Sequence, residues 1–216
     1  MLIYWHGHSE FLLERADGFT LITDPFDSHV GYPMGQYRAD AVTVSHGHGD
    51  HNYIEKVLGN PVVIDAAGQW QLDADAKVTA IPSFHDDAMG QKRGGNLIMK
   101  IEMEGLSLAH LGDLGIELDA DQLHALGKID ILMLPVGGYY TIDAPAAKKV
   151  VEALRPRMVI PMHFKHAGVN GDWPISDGRD FLSLMGAKGL QPMPLVRVTR
   201  EDLSQQPHLA LMQWQA

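Results

Sequence analysis

The stretch that decides the fold is Ser45-His46-Gly47-His48-Gly49-Asp50-His51, which directly follows the apolar run Ala41-Val42-Thr43-Val44. It places three imidazoles and one carboxylate within six consecutive positions. Imidazole nitrogen and carboxylate oxygen are ligands that zinc, manganese and iron accept. Glycines allow a short loop to turn these side chains inward without steric cost. The stretch therefore predicts a strand that ends in a metal-binding loop; a histidine-rich, solvated turn is the alternative interpretation.

Three more candidate ligands follow other apolar runs of the chain. His85 comes after residues 78–81, Asp113 after residues 106–111 and His163 after residues 158–161. Strand ends on one edge of a pair of packed sheets can bring distant side chains to one point, where loops shape a pocket. A lone histidine beside an apolar run is often structural. The shared placement at strand ends, rather than each residue alone, indicates one site.

The composition excludes several classes of site and partner. The 216 residues include no cysteine, which excludes disulfides and thiolate ligands, so His, Asp, Glu or backbone must hold any metal. With 17 Lys and Arg against 27 Asp and Glu, the net charge of −10 opposes binding to long nucleic acid. We expect a small-molecule substrate as partner and leave a homo-oligomer open.

The sequence favours a single domain, residues 1–216, in the cytoplasm. No apolar run approaches the roughly 18 residues of a membrane span, so we expect no membrane partner. Polar residues break the apolar run at positions 1–14, and no basic segment opens it, which resembles a first pair of strands more than an export signal.

Period-two and apolar runs predict strands, and helical spacing predicts helices between them. The predicted strands cover residues 2–6, 11–14, 19–23, 41–45, 62–65, 78–81, 97–103, 106–111, 129–134, 158–161, 195–198 and 209–214. The predicted helices cover residues 51–58, 119–126, 143–154 and 176–185, and Asp143 with Pro145 is typical of a helix start. Strands and helices mixed in two successive halves predict two packed sheets with helices outside, an α/β four-layer αββα sandwich.

Five segments together resemble the metallo-β-lactamase-fold hydrolases. They are Leu21-Ile22-Thr23-Asp24-Pro25-Phe26, Ser45 to His51, Phe84-His85-Asp86, His110-Leu111-Gly112-Asp113-Leu114-Gly115 and Val159-Ile160-Pro161-Met162-His163. The hexapeptide from His46 to His51 is highly specific, whereas the other four segments are specific only in this order and spacing. The resemblance extends nearly from end to end of the chain and implies the αββα sandwich of that family.

The resemblance also implies two divalent metal ions, zinc or manganese. One ion would be held by His46, His48 and His85, the other by Asp50, His51 and His163, and Asp113 would bridge the two. Ions about 3.5 to 4 Å apart lower the pKa of a shared water toward about 7, which gives a bridging hydroxide as nucleophile. Asp50 and Asp113 would be the catalytic carboxylates. Asp24 would orient the ligand imidazoles from behind, or would simply form a turn before Pro25.

Two further segments resemble the branch of this family that contains ascorbate-6-phosphate lactonase. They are Arg93-Gly94-Gly95-Asn96 and residues 135–144, which include Tyr139 and Tyr140. This narrower resemblance implies that Arg93 receives an anionic group and that Asn96 and Tyr139 lie near the substrate. His8, His110 and His166 flank matching segments and could support ligands or face substrate, and of these we include His166 in the site.

The leading hypothesis is a metal-dependent hydrolase that cleaves a small anionic ester, either a lactone or a phosphodiester. A non-catalytic metal-binding or sensing protein on the same fold is the alternative, since fold does not fix function. A complete ligand set argues against that alternative. A flavodiiron-like redox site would favour a Glu ligand and a flavin domain, and the matched positions show neither.

Overall fold

The computed structural model describes residues 1–215. It contains fourteen strands and three α-helices, joined by loops and short 3-10 helices. The strands are β1 Leu2–Gly7, β2 Glu10–Glu14, β3 Thr20–Thr23, β4 Tyr37–Arg38, β5 Ala41–Thr43, β6 Val57–Leu58, β7 Val62–Ile64, β8 Gly68–Gln71, β9 Ala76–Phe84, β10 Gly95–Met103, β11 Leu106–His110, β12 Ile131–Pro135, β13 Met158–Met162 and β14 Val196–Arg197. The helices are α1 Ala120–Leu126, α2 Ala144–Leu154 and α3 Arg179–Leu184.

Twelve strands form two six-stranded sheets that pack on each other. The first sheet has the order β14-β1-β2-β3-β5-β7, and the second has the order β13-β12-β11-β10-β9-β8. The main core cluster contains Trp5 and Phe11 from the first sheet together with Met99 and Leu132 from the second, so the core lies between the sheets. Strands β3, β5 and β7 are parallel, as are β11, β12 and β13, and their carboxyl ends therefore meet at shared edges.

The outer face of the second sheet is covered by helices. All residues of β12 and β13 are buried, which is the pattern of strands covered on both faces. Helix α2 packs Val150 and Val151 into the core, and α3 adds Phe181. Asp143 caps α2, because its carboxylate accepts a hydrogen bond of 3.0 Å from the backbone N–H of Ala146. The predicted start of this helix is thus confirmed.

The outer face of the first sheet carries a 3-10 helix and two short strands where the sequence predicts a helix. The helix expected over residues 51–58 is wrong: the structure has a 3-10 helix at Ile54–Lys56, followed by β6, which pairs in parallel with β4. The backbone N–H of Tyr53 donates to Pro25 O at 2.7 Å, which anchors the segment before a helix could begin. Tertiary contacts override the helical spacing here.

A buried ion pair fixes the same segment to the first sheet. The Lys56 ammonium lies 2.5 Å from the Glu10 carboxylate, and both side chains are buried. Glu10 also accepts a hydrogen bond from the backbone N–H of Phe26 at 3.2 Å and contacts His6 Nδ1 at 3.0 Å. Removing one member would leave a buried charge without compensation. Glu10 thereby joins residues 24–27 and 54–56, which flank the histidine-rich loop.

Smaller differences concern the edges of the sheets. Strand β8 was not expected, and it is a short, exposed edge strand. The strand predicted over residues 209–214 contributes isolated bridges from Leu209 to Val159 and from Met212 to Met193. Within residues 1–215, no helix is long and apolar enough to cross a membrane. Two packed sheets with α-helices outside the second sheet agree with the predicted α/β sandwich.

Candidate metal centre

The structure brings the seven predicted ligands together at one edge of the sandwich. The histidine-rich loop follows β5, His85 follows β9, Asp113 lies beyond the end of β11 and His163 follows β13. Their potential ligand atoms fall into overlapping groups in which all atoms lie within 4.8 Å of one another. Strand ends therefore place side chains that are more than 100 residues apart in sequence at one point.

The first group consists of His46, His48 and His85. The ring centroid of His46 lies 4.6 Å from that of His48 and 4.7 Å from that of His85. His85 is buried, whereas His48 is exposed and stands at the solvent side of the group. These are the three residues that the family resemblance assigns to one ion.

The second group consists of Asp50, His51 and His163, with His8 as a fourth member. Asp50 Oδ2 lies 3.7 Å from His51 Nε2 and 3.4 Å from His8 Nε2. His51 and His163 are fully buried or nearly so, while the Asp50 side chain keeps 21% of its surface exposed. The resemblance assigns the first three of these residues to the other ion and leaves His8 out.

Asp113 lies between the two groups. Its Oδ1 is 3.2 Å from His51 Nε2, and its Oδ2 is 3.2 Å from both His85 Nε2 and His163 Nε2. Asn96 holds this carboxylate in place, because Asn96 Oδ1 accepts the backbone N–H of Asp113 at 2.9 Å and Asn96 Nδ2 donates to Leu111 O at 3.0 Å. Asn96 thus fixes the backbone position of Asp113 through hydrogen bonds to the chain around it.

Gly112 is required for this arrangement. Its φ is +54°, in the left-handed region, and an added Cβ would lie 2.5 Å from Ser45 Cβ and would also collide with Asn96 Oδ1. The absence of a side chain lets the end of β11 pass directly over the start of the histidine-rich loop.

Asp24 orients two of the candidate ligands. Its Oδ2 accepts from His51 Nδ1 at 2.7 Å and from the Ser45 hydroxyl at 2.6 Å. The Ser45 oxygen in turn lies 3.0 Å from His46 Nδ1 and can accept its N–H. Both imidazoles then carry hydrogen on Nδ1, which leaves Nε2 free to bind a cation. Asp24 is fully buried, so its contacts are those of an orienting group rather than of a surface turn.

The ionisable side chains in the centre shift one another's pKa values. Burial alone would lower the pKa of His51, but the Asp113 and Asp24 carboxylates outweigh burial and hold that pKa well above its usual value. Burial would likewise raise the pKa of Asp113, but His163 and His51 hold it well below its usual range. Burial lowers the pKa of His46 to about 3. Burial would also raise the pKa of Asp24, but His51 and His110 hold it below its usual value. At neutral pH the carboxylates of Asp24 and Asp113 are thus ionised and His46 is neutral.

The donor set fits divalent metal ions. His46 Nε2, His51 Nε2 and Asp113 Oδ1 are buried and lack a hydrogen-bond partner among residues 1–215. Three imidazole nitrogens stand 3.2 Å from the Asp113 oxygens, and lone pairs at that distance repel unless a proton or a cation lies between them. Imidazole and carboxylate suit zinc and manganese alike. The identity of the metal and the number of ions stay predictions.

A cavity of about 370 Å³ opens onto the centre. Its wall includes Asp50, Asp113 and, outside the ligand groups, Asp27, His29, Gly49, Arg93, Tyr140 and Trp173. The Trp173 ring centroid lies 6.1 Å from that of Tyr140 and 5.6 Å from that of His8, so an aromatic wall stands beside the candidate ligands. A small molecule in this cavity would contact the carboxylates on one side and Arg93 on another.

The turn that carries Arg93 is held by Asp86. The Asp86 carboxylate accepts backbone N–H groups from Ala88, Gly90, Lys92 and Arg93 at 2.7 to 3.0 Å. The Arg93 guanidinium donates to Tyr139 O at 3.1 Å and lies 5.5 Å from the Tyr140 ring centroid. One carboxylate thereby fixes a loop that projects a cation to the cavity wall.

Other predicted site residues lie farther from the centre. Tyr139 is 64% exposed and lines a neighbouring cavity rather than the one at the candidate ligands. His166 is half-buried, with its ring 6.2 Å from Tyr32 and 6.3 Å from Trp214. His110 is fully buried, and its ring nitrogens contact Ser9 O at 2.8 Å and Gly112 N at 3.2 Å.

The sequence analysis gives no site role to Asp27, His29 or Trp173, which line the cavity. It also does not count His8 as a ligand. His8 stands in the segment Gly7-His8-Ser9 directly after an apolar run, which is the same signal that identified His85 and His163. Trp173 lies on a loop whose position in the cavity depends on tertiary contacts alone.

The pKa shifts predict that the metal-free protein is destabilised by acid. Burial lowers the pKa of His8 to about 4 and that of His46 to about 3, so both stay neutral in the folded chain while they protonate near pH 6.5 when unfolded. Their contribution is present above pH 6.5 and is lost as pH falls toward 4, by about 1.4 kcal/mol per pH unit for each residue. His51 acts in the opposite direction, since its raised pKa favours folding below pH 6.5 and this contribution fades as pH rises.

Urea unfolding of chelator-treated protein between pH 7 and pH 4.5 measures this effect. We expect the free energy of unfolding to fall by about 2 to 5 kcal/mol, because the lowered pKa values of His8 and His46 act between pH 6.5 and pH 4.5, whereas the raised pKa of His51 acts above pH 6.5. A His8→Asn variant should show a smaller fall. A free energy of unfolding that is constant across this range would contradict the assigned shifts.

Comparisons with known proteins agree with this geometry. A family model described as "Beta-lactamase superfamily domain" matches residues 2–163. Proteins described as UPF0173 metal-dependent hydrolases are similar over most of their length. One from Thermococcus onnurineus is 30% identical, over 84% of this chain and 91% of its own length. One from Archaeoglobus fulgidus is 29% identical, over 88% of this chain and 93% of its own length. A crystal structure from Thermotoga maritima, described as a Zn-dependent hydrolase of the metallo-β-lactamase superfamily, has a TM-score of 0.79 at 33% identity, over 98% of this chain and 97% of that one.

Proposed function

The chain belongs to the β-lactamase superfamily, in the group of UPF0173 metal-dependent hydrolases, and we propose that it cleaves a small anionic ester, a lactone or a phosphodiester. The observation that carries this proposal is the cavity in which the Arg93 side chain and the carboxylates of Asp50 and Asp113 line one space. A cation on the wall favours an anionic substrate, and the carboxylates mark where the reacting bond would lie.

Two divalent ions, zinc or manganese, would lower the pKa of a shared water and stabilise negative charge that develops on the substrate. His46, His48 and His85 would hold one, and Asp50, His51 and His163 the other. Asp113 would contact both and reduce their mutual repulsion. This assignment is supported by the two groups of donor atoms and by the position of Asp113 between them.

The protein's own residues prepare the site for hydrolysis. Asp24 fixes the hydrogens of His46 and His51 on Nδ1, so that their Nε2 atoms face the centre. The Asp50 carboxylate is the more exposed of the two candidate catalytic carboxylates and lines the cavity, where it can accept a hydrogen bond from an attacking water. Preorganised groups of this kind need no rearrangement during the reaction.

Arg93 would bind the anionic part of the substrate. Guanidinium groups recognise phosphate and carboxylate by paired hydrogen bonds, and Arg93 uses one donor on Tyr139 O while others remain for a ligand. The similarity of residues 93–96 and 135–144 to the ascorbate-6-phosphate lactonase branch supports a phosphorylated or otherwise anionic lactone. A phosphodiester satisfies the same contacts, since the two-ion chemistry acts on carbon or phosphorus.

Parallel assays on metal-loaded protein test the proposal. The substrates are a phosphorylated lactone, a cyclic nucleotide and bis-nitrophenyl phosphate, each assayed after reconstitution with zinc or with manganese. Turnover of the lactone or of a phosphodiester supports the proposal and decides between them. Failure of all three, with turnover of a neutral thioester or amide, overturns the substrate class. Metal binding without turnover of any ester favours the non-catalytic alternative.

Replacing Arg93 by alanine should raise KM about tenfold and change kcat less. Its contact with the anion is made in both the ground state and the transition state, and a charged hydrogen bond is worth about 1.5 to 3 kcal/mol. Steady-state kinetics on the substrate found above measure both constants. Lys92→Ala is the matched control, because Lys92 is exposed and paired with Asp87 at 2.6 Å. An equal rise in KM for both variants would contradict a specific role of Arg93.

A further inference from the structure

His8 lies inside the second ligand group although the family resemblance gives it no role. Its Nε2 is 3.4 Å from Asp50 Oδ2, and its ring centroid lies 4.2 Å from that of His163 and 5.0 Å from that of His51. One potential ligand atom from each of these four residues lies within 4.8 Å of the other three. Ligand bonds of about 2.1 Å place donor atoms about 3 to 4 Å apart around one ion. Asp50 Oδ2 lies at such separations from His8 Nε2, 3.4 Å, and from His51 Nε2, 3.7 Å.

The His8 side chain is fully buried, and neither ring nitrogen has a hydrogen-bond partner in the part of the chain that the structure describes. Such a group is costly unless something else satisfies it. His110 is equally buried, but both of its ring nitrogens have backbone hydrogen-bond partners, at 2.8 and 3.2 Å. Buried histidines are ordinarily satisfied in this way. His8 instead directs Nε2 toward a carboxylate, an arrangement that a shared cation stabilises.

The backbone holds His8 and His163 next to each other. Both residues have φ in the left-handed region, +52° and +50°. His8 O accepts the backbone N–H of His163 at 3.1 Å and the Trp5 Nε1–H at 3.0 Å, which holds the turn in this conformation. The end of β1 in the first sheet and the end of β13 in the second are therefore tied together at the point where both imidazoles enter the centre.

We propose that His8 is a further protein ligand of the second ion, beside Asp50, His51 and His163. This inference rests on the two-ion centre proposed above. With Asp113 counted at both sites, the second site offers five protein donors and the first offers four: His46, His48, His85 and Asp113. Five donors suit an ion of higher coordination number, such as manganese, whereas four suit tetrahedral zinc. The two sites would then differ in the metal they prefer.

The test compares wild-type protein with His8→Asn, since asparagine tolerates a left-handed φ and its short amide lacks the imidazole. Zinc is the probe, and X-ray absorption counts the imidazoles around it. Six imidazoles over two ions are expected in the wild type, from His8, His46, His48, His51, His85 and His163, and five in the variant. In a titration with zinc, the affinity of one ion should fall about 100-fold and that of the other should stay unchanged.

His110→Asn is the matched control: it removes an equally buried imidazole but should leave six around the two ions. A wild-type count of five, or a His8→Asn titration equal to that of the wild type, overturns the role of His8 while the two-ion centre stands. A wild-type protein that binds no zinc overturns both. If His8→Asn does not fold, the wild-type imidazole count alone decides between six and five.

Discussion

Replacing Asp50 by asparagine is expected to lower kcat by about 100-fold or more in metal-loaded protein, with most of the structure retained. The Asp50 carboxylate lines the cavity and lies among the donor atoms of the second group, so it acts where the reacting bond is placed. His8 and His51 favour its ionised form and lower its pKa, although burial alone would raise it. An amide removes that negative charge while it keeps the shape of the side chain.

Single-turnover and steady-state kinetics after full metal reconstitution measure this effect, and circular dichroism checks the fold. Asp87→Asn is the matched control, because it makes the same chemical change on a neighbouring loop where the side chain is 76% exposed. The control should keep the wild-type kcat. A metal-loaded Asp50→Asn protein with a kcat near that of the wild type would rule out the role assigned to Asp50.

Removing a ligand from each group should remove one ion at a time. We expect about two ions per chain in the wild type and about one in both His48→Ala and His163→Ala, since these histidines lie in different donor groups. Elemental analysis of protein purified without added metal, followed by titration, gives both counts. His124→Ala removes an exposed histidine of α1 and should keep the wild-type count.

The double variant His48→Ala/His163→Ala extends the same prediction. If the two groups hold separate ions, the losses should add, because Asp113 is the one ligand that the proposed assignment places at both ions. A wild type that contains no metal and takes up none would end the metal-centre interpretation. Loss of both ions from either single variant would show that the two groups do not act as separate sites.

Most of the candidate ligand set could be predicted because its signals are local. Four ligand-type residues in positions 46–51, after a strand and separated by glycines, restrict the loop so strongly that their convergence needs little information from elsewhere. His85 and His163 could be added because strands end directly before them. The capped start of α2 was equally local, since Asp143 and Pro145 carry the signal by themselves.

The predictions failed where contacts between distant residues determine the local structure or the lining of the cavity. The apolar spacing over residues 51–58 is compatible with a helix, but the buried Lys56–Glu10 pair and the pairing of β6 with β4 require a 3-10 turn and a strand. Trp173 and His29 entered the cavity wall without any signal in their neighbouring residues. Such contacts depend on how loops from different strands meet, which periodicity does not describe.

By itself, then, the sequence determined the packed-sheet architecture and the types of donor available, because strand periodicity and the absence of cysteine are properties of the chain. Only the tertiary structure decided which imidazoles share a group, how Asp24 fixes the hydrogens of His46 and His51, and that His8 stands beside Asp50. The physical reason is that these contacts join distant parts of the chain: the backbone hydrogen bond from His163 to His8, for example, joins residues 155 positions apart across the two sheets. That contact exists only once both sheets have packed.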